Sequence, residues 1–305
     1  MSGNSHFDVV IIGNYTKDTI ISPIGTRHVD GGGFNYGAYV AAMMGMKTAA
    51  VTRLAKEDGR VVDALESIGV TVYPTYTPHS TIMELYYPTS NVDQRTLSVA
   101  ETAGQFTPEQ VQHIESRVFL INSSIRGEVD LDVIKVLRSK NAFLVADVQG
   151  FTRIISSGGK LVYSDWKEKK EVLAYIDILK TDAVEAEMLT GKTDIRAAAK
   201  EIAGWGPKEV VLTHRDGVLV LAGGEFFEAP FHPEKLVGRS GRGDTCIASY
   251  ACKRLTGTAR EATVWAAAAT SLKMEAEGPI KRTVADVNRL ISEKYAANDF
   301  AVPVP

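Results

Sequence analysis

The chain has 305 residues, 45% hydrophobic and 23% charged, with a formal net charge of −3 and a pI near 6.1. That balance suits one large globular domain and leaves no electrostatic footprint for nucleic acid or an anionic membrane surface. Cys246 and Cys252 fall on one predicted helix where they are not easily bridged, and there is neither a signal peptide nor a transmembrane-length apolar run, so a soluble cytoplasmic protein is expected.

Phe7–Ile12 reads as a buried strand ending at Gly13. Asp18–Val29 is interrupted by Pro23 and Gly25, which suits a hairpin standing off the main sheet. Asp30-Gly31-Gly32-Gly33 opens an alanine- and methionine-rich helix through Asn35 and Tyr36 to Met44, with Gly45 as its stop. Thr48–Leu54 is a predicted strand and Asp58–Ile68 an amphipathic helix. Three strand signals follow, Val70–Tyr76, Thr81–Tyr87 and Arg95–Ala100, with no helix among them. They predict a small projecting sheet that pairs with the first hairpin as a lid, so the lid segments are set at about 17–30 and 70–102 within a single domain.

From residue 107 the alternation is regular. Thr107-Pro108-Glu109-Gln110 is a capping box. After it come strand Val118–Asn122, helix Val129–Ser139, strands Phe143–Asp147 and Ile176–Lys180, and helices Ala183–Leu189 and Ile195–Ala203. Strand Glu209–Thr213 precedes a hairpin, Gly217–Ala222 with Glu225–Ala229, and helices from Asp244, Ala259 and Val284 finish the chain. Strands alternating with helices predict an α/β fold: a doubly wound, mainly parallel sheet covered on both faces. Ligands in such sheets bind beyond the carboxyl ends of the strands, where Asp18, Asp147, Asp182 and the Gly241 loop all fall.

The most telling stretch is Gly241-Arg242-Gly243-Asp244-Thr245, a glycine-rich turn feeding a helix of small residues. Unpaired N–H groups at the positive end of a helix form an anion site. Asp244 beside it is either a simple N-cap or the carboxylate that orients and deprotonates an attacking hydroxyl during phosphoryl transfer. Gly31-Gly32-Gly33 is likewise either a tight turn or a loop that brings backbone to a ligand.

Together the two glycine signatures, about two hundred residues apart, resemble the ribokinase-like (PfkB) carbohydrate kinases, and the resemblance spans essentially the whole chain. It implies Asp244 as catalytic base, with Gly241, Arg242 and Gly243 as the anion hole. It implies Asp18, Gly32 and Gly33 at the acceptor, with Asn35, Tyr36, Asp147, Gln149 and Arg153 alongside. Asp182 and Glu185 stand in the metal and phosphate motif, and Thr213, Arg215, Gly217 and Arg239 along ATP. The implied cofactors are ATP and Mg2+, and the implied reaction is transfer of the γ-phosphate to a hydroxyl of a sugar or polyol. The expected partners are that small molecule and, through the lid, a second copy of the chain.

Departures from the family pattern bear on the substrate. Gly238-Arg239 replaces Asp-Thr, Arg242 a small residue, Asp182 an asparagine and Arg215 a glycine. Tyr36 stands where an asparagine often meets the sugar, which points away from ribose and fructose and toward polyol or inositol acceptors. Two other readings stay open: a nucleoside kinase with Tyr36 or Phe34 stacked on a base, and a non-catalytic ligand-binding relative. Asp182 and Glu185 fit a metal site or merely a dipole-favoured helix start. Arg242 either meets phosphate or faces solvent.

Overall fold

The computed structural model describes residues 6–89 and 94–295 and the two-residue strand Ala301–Val302. In chain order the strands are β1 (His6–Ile12), β2 (Thr16–Ser22), β3 (Gly25–Gly31), β4 (Thr48–Ala55), β5 (Thr71–Thr77), β6 (Thr81–Tyr86), β7 (Thr96–Glu101) and β8 (Glu115–Ile121). They continue as β9 (Phe143–Asp147), β10 (Arg153–Ile155), β11 (Leu161–Tyr163), β12 (Ile178–Asp182), β13 (Glu209–Thr213), β14 (Gly217–Ala222), β15 (Glu225–Pro230) and β16 (Ala301–Val302). The helices are α1 (Gly33–Met43), α2 (Arg60–Glu66), α3 (Leu131–Arg138), α4 (Gln149–Thr152), α5 (Lys169–Leu173), α6 (Ala183–Thr190), α7 (Ile195–Ala203), α8 (Arg242–Arg254), α9 (Ala259–Met274) and α10 (Val284–Lys294).

Ten strands form the main sheet in the order β16-β15-β14-β13-β12-β9-β8-β1-β4-β5. It runs parallel from β13 to β5, while the β13–β14–β15–β16 edge is antiparallel. Central strands such as β1 and β9 are buried on both faces, as a helix-covered parallel sheet requires. One core packs α1, α8, α9 and α10 against one face, and a second packs α3, α5, α6 and α7 against the other. Small residues bring α1 and α8 close: a side chain at Gly37 would press on Ile11 and Ala248. Both cysteines are free thiols buried in α8. The capping box at Thr107 forms, but it starts only a 3-10 turn.

A four-stranded sheet, β3-β2-β6-β7, stands apart over its own small core of Ile20, Met83, Leu85, Tyr87, Val99 and Ile125. Arg27 of β3 reaches Glu277 beyond α9 at 2.7 Å, and Lys17 of β2 reaches Asp58 at 3.0 Å, so this lid is tied to the body at both ends. The lid is smaller than expected. Thr71–Thr77 is not part of it but joins the main sheet as its parallel edge strand beside β4. The reason is topological, since α2 between β4 and β5 is the crossover a parallel pair needs, and Pro74 suits an edge position. Residues 90–93 of the expected lid lie outside the described residues. The β10–β11 hairpin abuts the lid, with Val99 N–H donating to Gly159 O at 2.8 Å.

Candidate active site

The carboxyl ends of the parallel strands meet the start of α8. Gly241 takes φ +78°, and a Cβ there would overlap the Tyr36 ring, so only glycine serves. The Arg242 N–H turns back to Arg239 O at 3.1 Å, and the Thr245 N–H starts the helix on Gly241 O at 2.9 Å. Arg242 therefore spends its amide closing the turn, unlike the expected anion hole of Gly241, Arg242 and Gly243. The first-turn N–H groups of Gly243 and Asp244 are the ones aimed out of the helix end. Asp244 is not the N-cap, because Gly241 holds that place without a side-chain cap bond. Instead its Oδ1 accepts from Gln149 Nε2 at 3.2 Å.

On one side of Asp244 lies a cluster of buried polar side chains. Burial pushes the Asp18 carboxyl up to about 7, opposed by Thr16 and Arg95 and reinforced by Asp244. Gly31, Gly32 and Gly33 border it: side chains there would overlap the Asp18 carboxyl, the Asn14 carbonyl and the Asn122 carboxamide. Asn14 Oδ1, Asp18 Oδ1, both polar atoms of the Asn122 side chain and Ser123 Oγ are buried without a hydrogen-bond partner in the protein. Each such group costs about 1–3 kcal/mol. Asn122 and Ser123 were not singled out from the sequence; their one signal was a position just past the end of β8, at the carboxyl edge of the sheet.

Two residues expected at the acceptor serve the frame instead. Asn35 Nδ2 donates to Asp30 O at 3.0 Å, and the buried Tyr36 ring packs on Gly241. Phe34 is buried too, so neither aromatic is free to stack on a base.

On the other side the charges are dense and paired. Asp182 is the N-cap of α6, its Oδ1 accepting from Glu185 N–H at 2.8 Å while Glu185 Oε2 accepts from Asp182 N–H at 2.9 Å. Lys180, which the sequence marked only as a strand residue, lies 3.0 Å from Asp147 Oδ2 and 3.9 Å from Glu185 Oε2. A side chain at Gly243 would strike its ammonium. Burial works against that charge, yet Asp147 and then Glu185 hold the Lys180 pKa above its usual range. Burial likewise pushes the Glu185 carboxyl up to about 7, against the pull of Lys180. Asp147 is Lys180's partner and accepts from Gln149 N–H at 3.1 Å.

Arg153, expected at the acceptor, faces Glu185 at 3.5 Å. With Arg95, Tyr163, Asp182, Val184 and Arg239 it lines a cavity of about 240 Å³. Arg242 is half-buried: its guanidinium lies 5.8 Å over the Phe231 ring, and burial, then Arg239, push its pKa down to about 10. Thr213 is buried in register with Asp182 on the neighbouring strand. Arg215 is not drawn in. Its side chain is 87% exposed beside Asp216, and Gly217 is glycine because a Cβ would strike the Ala229 carbonyl of β15. No helix among the described residues is long and apolar enough to cross a membrane.

The fold recurs in known proteins. Over most of its length the structure superposes on a pyrophosphate-dependent kinase in the ribokinase family, seen as a sulfate complex, with TM-score 0.86 and 37% identity over 92% of this chain and 99% of that one. A complex of such a kinase with a pyrophosphate analog and myo-inositol aligns with TM-score 0.85 and 36% identity over 92% and 99%. Arabidopsis thaliana ribokinase with ribose and ATP shares the fold at TM-score 0.75 and 20% identity, over 94% and 99%. A cytidine kinase of Thermococcus kodakarensis is 31% identical over 253 residues, 80% of this chain and 87% of its own length. The pfkB family carbohydrate kinase model matches residues 14–283. That span runs from the buried Asn14 through the Gly241 turn and Asp244 to the cap of α10, and on it the chain belongs to the pfkB family of carbohydrate kinases.

Proposed function

We propose that this kinase transfers a phosphoryl group to a hydroxyl of a small polyol, and that its donor is an inorganic diphosphate rather than ATP. The observation that carries the acceptor is the group of buried, partnerless polar atoms on Asn14, Asp18, Asn122 and Ser123. Such groups discriminate strongly for a ligand whose hydroxyls satisfy them. In this reading Asp244 takes the proton from the attacking hydroxyl, and Gln149 orients the carboxylate. The Gly243 and Asp244 N–H groups take up charge on the phosphoryl group as it moves. Lys180, pressed against Gly243, adds a fixed positive charge beside that path. The lid over the strand ends excludes water, which suppresses hydrolysis of the donor.

The donor reading rests on the cavity walled by Arg95, Arg153 and Arg239. Arginine forks suit phosphate oxygens, and three arginines line this one cavity. The exposure of Arg215 and the packed Gly217, both expected along ATP, point the same way, as do the pyrophosphate-dependent relatives.

Magnesium fits as an ion carried in on the donor and held through water. Asp182 lines the cavity, whereas Glu185 is engaged by Asp182, Arg153 and Lys180 and would act through solvent at most. Bound there, the ion would neutralise donor charge.

A nucleoside acceptor is the second reading. It is favoured by the cytidine kinase relative and by a cavity of about 230 Å³ with Ile20, Tyr87, Leu236 and Val237 in its wall, next to Ser240. Turnover of sugars, polyols including inositols, and nucleosides with either pyrophosphate or ATP, followed by phosphorylated product, tests both parts. Pyrophosphate-driven turnover of a polyol is expected. Turnover confined to nucleosides would overturn the acceptor, and turnover confined to ATP the donor.

A further inference from the structure

Lys273 lies one residue from the end of α9, 1% exposed. Its Nζ donates to Gly238 O at 3.0 Å and sits 5.6 Å from the Tyr36 ring centroid. That ring occupies the space a side chain at Gly241 would need. The same turn is pinned by backbone: Val237 and Gly238 N–H groups both donate to Met274 O, at 2.9 and 3.1 Å, and a Cβ on Gly238 would strike the Ala276 carbonyl. The segment leading into the anion hole is thus stitched to the end of α9, with one ammonium at the centre.

Packing alone does not account for that charge. An unbranched apolar side chain would fill the same volume without desolvating an ammonium. The groups that act on it are Glu277 just past α9, Asp244 from α8 and Tyr36 from α1. Glu275 is held by Arg282 at 2.8 Å, and Glu277 by Arg27 at 2.7 Å. Neither contacts Lys273 in an ion pair closer than the Gly238 carbonyl. The negative end of the α9 dipole adds a favourable field.

We propose that Lys273 is a positioning residue for phosphoryl transfer: a tethered cation that fixes the Gly238–Gly241 turn and the Tyr36 ring, and so sets where the Gly243 and Asp244 N–H groups point. This rests on the kinase reading above, in which those N–H groups meet the moving phosphoryl group. Lys273 touches neither substrate. Burial pushes its pKa down to about 8, with Glu277 and Asp244 opposing, so the ammonium is present below that pH and lost as pH rises through it.

The test is made on the full chain with the donor and acceptor that wild type uses. In Lys273→Met, kcat falls about tenfold or more, since small misplacements of an anion hole are costly, while the acceptor KM stays within about threefold. In Lys273→Ala the vacated space admits a small cation. Ammonium or methylammonium chloride then restores a measurable part of kcat, and sodium chloride of equal ionic strength does not. The wild-type loss of kcat as pH rises through about 8 is absent from Lys273→Met. Should Lys273→Ala fail to fold, the Lys273→Met kcat and pH profile decide. A kcat within about twofold of wild type overturns the assignment, as does a loss that ammonium does not repair and that leaves the alkaline limb in place. An active wild type with such variants overturns the role of Lys273 alone and leaves the kinase reading standing.

Discussion

On the proposed acceptor side of Asp244, Asn14, Asn122 and Ser123 hold buried polar atoms with no partner in the protein. On the proposed donor side, Lys180, Asp147 and Glu185 are equally buried and Arg153 partly so, but the four are paired among themselves. The contrast follows from what each side would recognise. Neutral hydroxyls are read by uncommitted donors and acceptors, whose cost in the empty site is recovered only by a ligand of the right pattern. A polyanion brings several charges at once, so its cations must be kept apart and stable without it, and carboxylates do that. One face is poised to select and the other to hold.

The largest expected effect lies at the residue the two sides share. Asp244→Asn is expected to lower kcat by about 10²–10⁴-fold, as loss of a general base does. Binding of donor and acceptor, followed calorimetrically, stays within a few-fold of wild type. Activity close to wild type would remove the catalytic role and with it the reason to divide the site at this point.

The division itself is tested by a pair of variants. Asn122→Leu removes two partnerless polar atoms from the proposed acceptor side, and about 1–1.5 kcal/mol per lost hydrogen bond raises the acceptor KM roughly tenfold per bond with the donor KM unchanged. Arg153→Met does the reverse. If each variant moves both constants alike, the two sides are one site and the comparison collapses.

Much of this was legible beforehand. The Gly217–Ala222 and Glu225–Pro230 hairpin and the start of α9 with its Thr258–Glu261 capping box follow local rules of turn and cap. The Gly241 turn declared itself because glycine has few other reasons to recur before a helix. The edge position of β5 was not legible from a run of strand signals; the crossover through α2 decided it. The hairpin β10–β11 has only three residues a strand, too short for any period. The missed site residues share one cause. Asn122 stands just past the end of β8, Lys180 within β12 and Lys273 in the last turn of a helix, where a lysine ordinarily faces solvent and the dipole explains it. Only the tertiary fold turns all three inward.

A smaller effect distinguishes the two sides by pH. The Asp18 carboxyl has its pKa raised to about 7 from an ordinary 3.8, chiefly by burial. It is neutral below that pH and charged above, and the charged form accepts hydroxyl hydrogen bonds more strongly. Acceptor affinity therefore weakens as pH falls through about 7, while donor affinity does not follow the same titration. Stability moves oppositely. A raised carboxyl pKa means the folded state holds the proton more tightly, so the contribution present at low pH is lost as pH rises through 7. Asp18→Asn flattens both dependences; an acceptor titration that keeps its midpoint in Asp18→Asn assigns it to another group.

The smallest effect concerns Arg242, the cation that belongs clearly to neither side. Its guanidinium is packed over Phe231 and pressed by Arg239, at a helix N-terminus where a positive charge costs about 0.3–1 kcal/mol. Its own N–H closes the turn on Arg239 O, and alanine keeps that bond, so the variant isolates the side chain. If the charge waits for donor phosphate, Arg242→Ala lowers kcat/KM for the donor by a few-fold and leaves acceptor KM alone. The ligand-free protein is then as stable as wild type or slightly more so, because a misplaced charge has gone. Thermal stabilisation by added donor shrinks, since less binding energy favours the folded state. Donor kinetics and donor-induced stabilisation that both match wild type would make the arginine a bystander, and the contrast between the two sides would then rest on Arg153, Lys180 and the helix amides alone.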